Sequence, residues 1–300
     1  MNIIECTNLT KKHGRTIALN GISMSITENK ITGLIGANGA GKTTLLKIIA
    51  GFWRKTSGDI KVFSEQPFNN IKTSANTIFI DDQMDLPTSL TLLEILHEAG
   101  RLYEKWDKDL AFRLLDYFSF NPNQFHSRLS KGKKSTFNII LGLASRCSLT
   151  IFDEPTTGMD ASVRKDFCRA LLKDYLAHPR SIIISSHYLE EMEDILEDII
   201  LIENGKKRLH LSVDEVREYA IGATGETINI NVLIQNREVI YSKNLGSDHT
   251  YVVLKHNFSE EELESAREAG LTLSPIPSSD LCIYLTNKKA GGIDDVFNRT

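Results

Sequence analysis

The chain is 300 residues long, enough for one large domain and a smaller one. With 41% apolar and 25% charged residues it has a globular balance, which excludes a disordered or low-complexity class. A formal net charge of −4 gives no basic footprint, so no nucleic-acid partner is expected.

Glu5 and Lys11–Lys12 interrupt any apolar leader, and the longer apolar runs, such as Phe137–Ala144 and Ile182–Ile184, fall well short of a membrane span. Cys6, Cys147, Cys168 and Cys282 form no C-x-x-C pair and read as reduced thiols of a cytoplasmic protein. Up to residue 80 or so, β-like runs alternate with turns expected at Gly14–Arg15, Asn20–Gly21 and Ser57–Gly58. Ile31–Ile35 reads as an apolar strand, and Thr43–Ala50 as a helix burying Leu45, Leu46, Ile48 and Ile49. From about 88 to 144, Leu90, Leu93 and Leu96, then Leu110, Leu114 and Leu115, recur at helical spacing and predict a helical insert. Leu149–Phe152 is expected as a buried strand, Ser162–Leu176 as a helix, and Ile182–Ile184 as a strand. Tyr188–Leu196 is expected as a helix, then Ile199–Ile202 as a strand closing at Asn204–Gly205. This alternation predicts a mostly parallel sheet covered by helices, with a ligand at the carboxyl ends of its strands.

Beyond about 211 the pattern changes. Ile228–Ile234 alternates apolar and polar residues and predicts a strand, with Tyr251–Leu254 as its partner. Ser259 and Glu262 form a capping box opening a short helix that stops at Gly270. From Asp214 onward there are 14 acidic and 8 basic side chains, so this tail is acidic; it reads as a small α+β accessory domain over 211–300.

The chemistry starts at Gly36–Thr44, G-A-N-G-A-G-K-T-T, which fits the phosphate-loop pattern Gly-x-x-x-x-Gly-Lys-Thr. Glycines let backbone N–H groups curl round phosphate oxygens, and the following helix adds the positive end of its dipole. The loop residues Gly36, Asn38, Gly39, Gly41, Lys42, Thr43 and Thr44 are thus candidates for holding ATP. Lys42 would neutralise the terminal phosphates and the Thr43 hydroxyl would ligate Mg²⁺. Leu149–Glu154 is an apolar strand ending in two carboxylates. Asp153 suits a Mg²⁺ ligand acting through water, and Glu154 suits the polarisation of an attacking water.

With Pro155–Asp160 following those carboxylates, the chain resembles the ATP-binding cassette (ABC) ATPases over residues 1 to about 210. Leu129-Ser130-Lys131-Gly132-Lys133 stands at that family's signature, Gly158-Met159-Asp160 at its D-loop, and His187 at its switch histidine. The resemblance implies an α/β P-loop NTPase with a RecA-like core and a helical subdomain at about 84–144 within an ATPase domain of 1–210. It further implies head-to-tail dimers, of like or related chains. The phosphate loop of one subunit would face Ser130, Gly132 and Asp160 of the other across ATP, and binding would close the dimer.

Three elements of the family pattern are altered. His13 stands where an aromatic ring stacks on adenine, and Lys131 and Lys133 replace Gly and Gln in the signature, either aiding phosphate binding or lying in solvent. In Asp81-Asp82-Gln83, Asp82 fits the Gln-loop residue by register and Gln83 by chemistry; either would contact Mg²⁺ and the attacking water. The interval between phosphate loop and signature is too short for the coiled coil of a DNA-repair ABC ATPase, and one phosphate loop argues against a two-cassette translation factor. The signature variant, the Tyr103–Trp106 region and the C-terminal extension resemble export ATPases of the bacitracin-resistance type. That resemblance implies a subunit on the inner face of the membrane, powering export through a separate multi-span permease. The alternative is a soluble cassette acting as an assembly or regulatory scaffold.

Overall fold

The computed structural model describes residues 1–286. The chain divides into two compact units, the first Met1–His210 and the second from Leu211 onward. The last 14 positions of the expected accessory domain, 287–300, lie outside the described residues.

The first unit opens with a long hairpin, β1 (Asn2–His13) and β2 (Thr16–Thr27), turning at Gly14–Arg15. There follow β3 (Ile31–Ile35), α1 (Lys42–Ile49), β4 (Ser57–Val62), α2 (Ile71–Asn76) and β5 (Thr77–Ile80). Three helices come next, α3 (Leu92–Leu102), α4 (Lys108–Tyr117) and α5 (Lys131–Ser145), N-capped by Thr91, Asp107 and Ser130. The chain then alternates β6 (Leu149–Asp153), α6 (Ala161–Ala177), β7 (Ser181–Ser186) and β8 (Asp198–Glu203), and turns into β9 (Lys206–Ser212). Asn204 and Gly205 both have positive φ, the conformation of a two-residue hairpin turn.

The main sheet has the order β5-β6-β7-β3-β8-β9, and β5 through β8 pair in parallel. Every residue of β3, β5, β6, β7 and β8 is buried, as strands covered on both faces require. The order matters for function, because β6, β7 and β3 are neighbours in space although β3 lies far from the other two in sequence. Their carboxyl ends bring Asp153–Glu154, His187 and the phosphate loop to one edge. A second, antiparallel sheet, β2-β1-β4, covers α1. Leu45, Leu46, Ile48 and Ile49 of α1 share one core with Ile4, Leu9, Leu19 and Ile60 of that sheet and Ile200 and Ile202 of β8. The α/β core and helical subdomain expected from the sequence are both present.

Three local expectations in the first unit need correction. Asn20–Gly21 is not a turn: β2 runs through it, and the pairs Leu9↔Ile22 and Lys11↔Leu19 show one extra residue on β2, a bulge with Gly21 at φ 70°. Ser57–Gly58 opens β4, where a Cβ on Gly58 would lie 2.1 Å from the Asn8 carbonyl oxygen. Tyr188–Leu196 forms two 3₁₀ turns, Leu189–Glu191 and Glu193–Ile195, instead of an α-helix. The buried side chains Leu189, Met192 and Ile195 recur every third residue, which suits the 3₁₀ period.

The second unit runs α7 (Val213–Arg217), β10 (Ala220–Glu226), α8 (Thr227–Leu233), β11 (Val239–Asn244), β12 (His249–Lys255), α9 (Glu260–Glu268), β13 (Thr272–Pro275) and α10 (Ser278–Thr286). Its antiparallel sheet has the order β11-β12-β10-β13, so β10 to β13 form a β-α-β-β-α-β split motif. The Ser259–Glu262 capping box opens α9, and Gly270 follows its end at φ 79°. The strand expected at Ile228–Ile234 is instead helix α8, and Tyr251–Leu254 of β12 pairs with β10 and β11. At helical spacing Ile230, Leu233 and Ile234 join the core of Val252, Leu254 and Leu263, while Ile228 and Val232 stay exposed. The alternation therefore carried no strand. In β10, Gly222 and Gly225 mask a real one; a Cβ on Gly225 would stand 2.5 Å from Leu271 Cδ2.

Candidate nucleotide-binding and hydrolysis site

The phosphate loop is wedged between β8 and β2. A Cβ on Gly36 would lie 2.3 Å from the Ile202 carbonyl oxygen, and one on Gly41 would lie 2.6 Å from that of Ala18. Gly41, at φ 109°, occupies the N-cap of α1 without a capping side chain, and no acidic residue stands in the first turn. The first N–H groups of α1 thus keep their anion-binding capacity. Lys42 is 5% exposed, and its Nζ donates to the Gly36 carbonyl at 2.7 Å and stands 3.0 Å from Glu154 Oε1. Asn38, Gly39 and Thr43 are exposed and Thr44 is half-buried.

Glu154 joins both sides of the site. Its Oε2 lies 2.6 Å from His187 Nδ1 while its other oxygen faces Lys42. A carboxylate accepts only, so the Nδ1–H of His187 donates to Glu154. Glu154 has φ 50°, in the left-handed region, which costs a non-glycine residue about 1–2 kcal/mol and is the kind of strain found at functional sites. Ser185 at the end of β7 secures this geometry: it accepts the Glu154 N–H at 2.9 Å and donates to Asp153 Oδ1 at 2.5 Å. Sequence reasoning missed Ser185; its signal was a polar pair, Ser185–Ser186, directly after the apolar run Ile182–Ile184. Ser186 Oγ in turn accepts the Tyr188 N–H and donates to the Tyr188 carbonyl, fixing the backbone around His187.

The donors suit ATP with Mg²⁺. Asp153 and Thr43 offer hard oxygen ligands of the kind that Mg²⁺ shared with phosphates takes. Burial pushes the Asp81 carboxyl up, with the charges of Asp153 and Asp82 adding to the effect and Lys47 opposing it. A divalent cation would relieve this concentration of negative charge.

The remaining candidates form separate groups. Ser130 caps α5, and Gly132 packs so tightly on the D-loop that a Cβ would stand 2.4 Å from the Gly158 carbonyl oxygen. Ser135 Oγ donates to the Thr157 carbonyl, joining signature and D-loop again, and Asp160 stands exposed at the start of α6. Asp82 pairs with Lys131 at 3.1 Å, whereas Gln83 is exposed. His13 meets Trp53 edge-on with ring centroids 5.1 Å apart, and Lys47 Nζ lies 5.4 Å from the Trp53 ring centroid. Trp53 is a second aromatic that the sequence reading overlooked. The thiols stay outside this chemistry; burial pushes the Cys6 thiol up to about 12.

Behind the site, buried His126 donates from Nε2 to Asn138 Oδ1 at 3.0 Å. Burial holds its pKa below the ordinary 6.5, with Lys134 adding and the Asn138 bond opposing. The unfolded chain therefore takes up a proton near pH 6.5 that the folded chain refuses. Stability from this group is present above that pH and is lost as pH falls toward the folded pKa; His210, also lowered by burial, acts in the same direction. The urea midpoint should fall between about pH 7 and about pH 5.5, and His126→Gln should flatten that slope.

Comparison with known proteins bears on the same residues. The sequence model of the ABC transporter family matches residues 19–157. The chain is 28% identical to the ABC transporter ATP-binding protein YtrB of Bacillus subtilis (strain 168), covering 88% of this chain and 89% of that one. It is 29% identical to the SkfA peptide export ATP-binding protein SkfE of the same organism, over 73% of this chain and 93% of that one. To the bacitracin transport ATP-binding protein BcrA of Bacillus licheniformis it is 27% identical, over 84% and 82%. These identities are too close together for one subtype to stand out. In structure it is similar to an ATP-binding subunit of an ABC transporter, with TM-score 0.64 and 24% identity over 72% of this chain and 92% of that one. It is likewise similar to the dimeric, post-hydrolysis ATP-binding cassette MJ0796 bound to ADP and Pi, with TM-score 0.62 and 20% identity over 70% and 98%. The first unit thus has the fold of the ATP-binding cassettes of ABC transporters, and the family's sequence model matches within it.

Proposed function

We propose that the chain hydrolyses ATP to power transport through a separate multi-span permease, by closing against a second cassette when ATP binds. The observation that carries this reading is the line Lys42–Glu154–His187 at the carboxyl edge of β3, β6 and β7. Lys42 and the N–H groups of the loop hold the phosphates; Thr43 and Asp153 hold Mg²⁺, which offsets charge on the phosphate oxygens. Glu154 takes a proton from the attacking water, and His187 keeps the carboxylate aimed. Ser130, Gly132 and Asp160, grouped on the signature and D-loop, are the surface offered to the partner's nucleotide. Export of a drug- or peptide-like molecule is favoured by the relatives named for peptide export and bacitracin transport. The second unit is proposed as an accessory domain of the same subunit.

A permease needs a seat on the first unit. Ile71 of α2 and Leu102 of α3, 87% and 76% exposed, line one groove of about 430 Å³ together with Tyr103. Apolar side chains brought together on one exposed surface are the kind of feature that marks an interaction site. Tagged protein purified in detergent from its host membranes should bring a multi-span membrane protein with it, and Ile71→Asp with Leu102→Asp should release it while ATP binding persists. An ATPase that captures no membrane protein would instead be the soluble scaffold.

A further inference from the structure

Two of the departures from the family pattern, the acid at 82 and the lysine at 131, meet in space: Lys131 Nζ lies 3.1 Å from Asp82 Oδ2. We propose that Lys131 is a positioning residue that ties the loop after β5 to the signature helix and the D-loop, with Asp82 as its anchor. The proposal rests on the ATPase reading above.

Three observations separate this contact from an incidental surface pair, which would contribute little. First, α5 grips the same loop elsewhere: buried Asn138 donates from Nδ2 to the Asp81 carbonyl at 3.2 Å, and is itself held by His126. Lys131 and Asn138 are seven residues apart, about two helical turns, and so share one face of α5. Second, the stem of Lys131 lies on the D-loop; a Cβ on Gly158 would be in van der Waals contact with Lys131 Cγ and Cδ at 3.5 and 3.6 Å. One side chain from α5 therefore reaches the loop after β5 while running beside the D-loop, which a glycine at this position could not do. Third, a cation in the first turn of α5 opposes the helix dipole, and Lys133 and Lys134 stand beside it. Lys133 Nζ is directed to the ring of Phe120 at 5.8 Å, whereas Lys131 is neutralised by Asp82. The Asp82 carboxylate is thus committed to holding the loop.

Lys131→Met and Asp82→Asn should each lower kcat about tenfold, with KM for ATP shifting less than about twofold because ATP rests on the phosphate loop. The double variant should be no slower than either single one, and the exchange Asp82→Lys with Lys131→Asp should recover most of the rate. In nucleotide-free protein, Lys131→Met should speed hydrogen exchange of the amides of residues 81–86. Wild-type rates in the single variants, additive losses in the double, or unchanged exchange would each overturn the proposal. A wild-type chain without ATPase activity would sink the proposed function instead, and exchange at 81–86 would then decide the tie by itself.

Discussion

Glu154→Gln should still bind ATP while its turnover falls by about a thousandfold, within the range that a lost general base costs. The amide keeps the shape of the side chain and can still meet His187, but it cannot take a proton from water. It also removes a negative charge lying 3.0 Å from Lys42, where the terminal phosphates are to rest. Binding is therefore retained or tightened while the step that reopens the dimer fails. Phosphate release should be nearly abolished, and sedimentation with ATP should show a dimer that wild-type protein forms only transiently. Normal turnover in this variant would remove Glu154 from the proposed role.

Lys42→Ala should cut ATP affinity by about a hundredfold or more, since charge-assisted contacts to phosphate contribute roughly 1.5–3 kcal/mol each. The 5% exposure of Lys42 means that water does not readily replace it. The substitution also leaves Glu154 without the cation that faces Oε1, so repulsion between that carboxylate and the phosphates adds to the loss. Calorimetry with ATP checks the affinity, and an unchanged thermal midpoint shows that the fold survives. Unaltered binding would contradict the phosphate-loop assignment.

Much of the core was legible because its signals are local and strong. The short runs rich in β-branched residues at Ile31–Ile35, Leu149–Phe152 and Ile182–Ile184 read as buried strands, and Gly41 and Lys42 sit where strand passes to helix. The order β6-β7-β3 was not written in any one segment, yet it alone places Glu154 between Lys42 and His187. Ser185 escaped notice for the same reason, since its two bonds cross to a neighbouring strand. The second unit was harder to read. Residues 228–234, with apolar positions at Ile228, Ile230 and Val232 to Ile234, satisfy a strand pattern and a short helix equally, and only the core of Val252 and Leu263 selects the helix. The pairing of Asp82 with Lys131 joins residues 49 apart (131 − 82), too far for any sequence window to link them.

The central claim is that each ATP lies between the phosphate loop of one subunit and the signature of another. The most direct measurement mixes two inactive forms, Lys42→Ala and Ser130→Arg, and follows phosphate release. In a mixed dimer one site carries both defects, while the other pairs an intact Lys42 with an intact Ser130. Activity should return on mixing, to a fraction set by the share of mixed dimers. No recovery, with mixed dimers shown to form, would contradict a shared site.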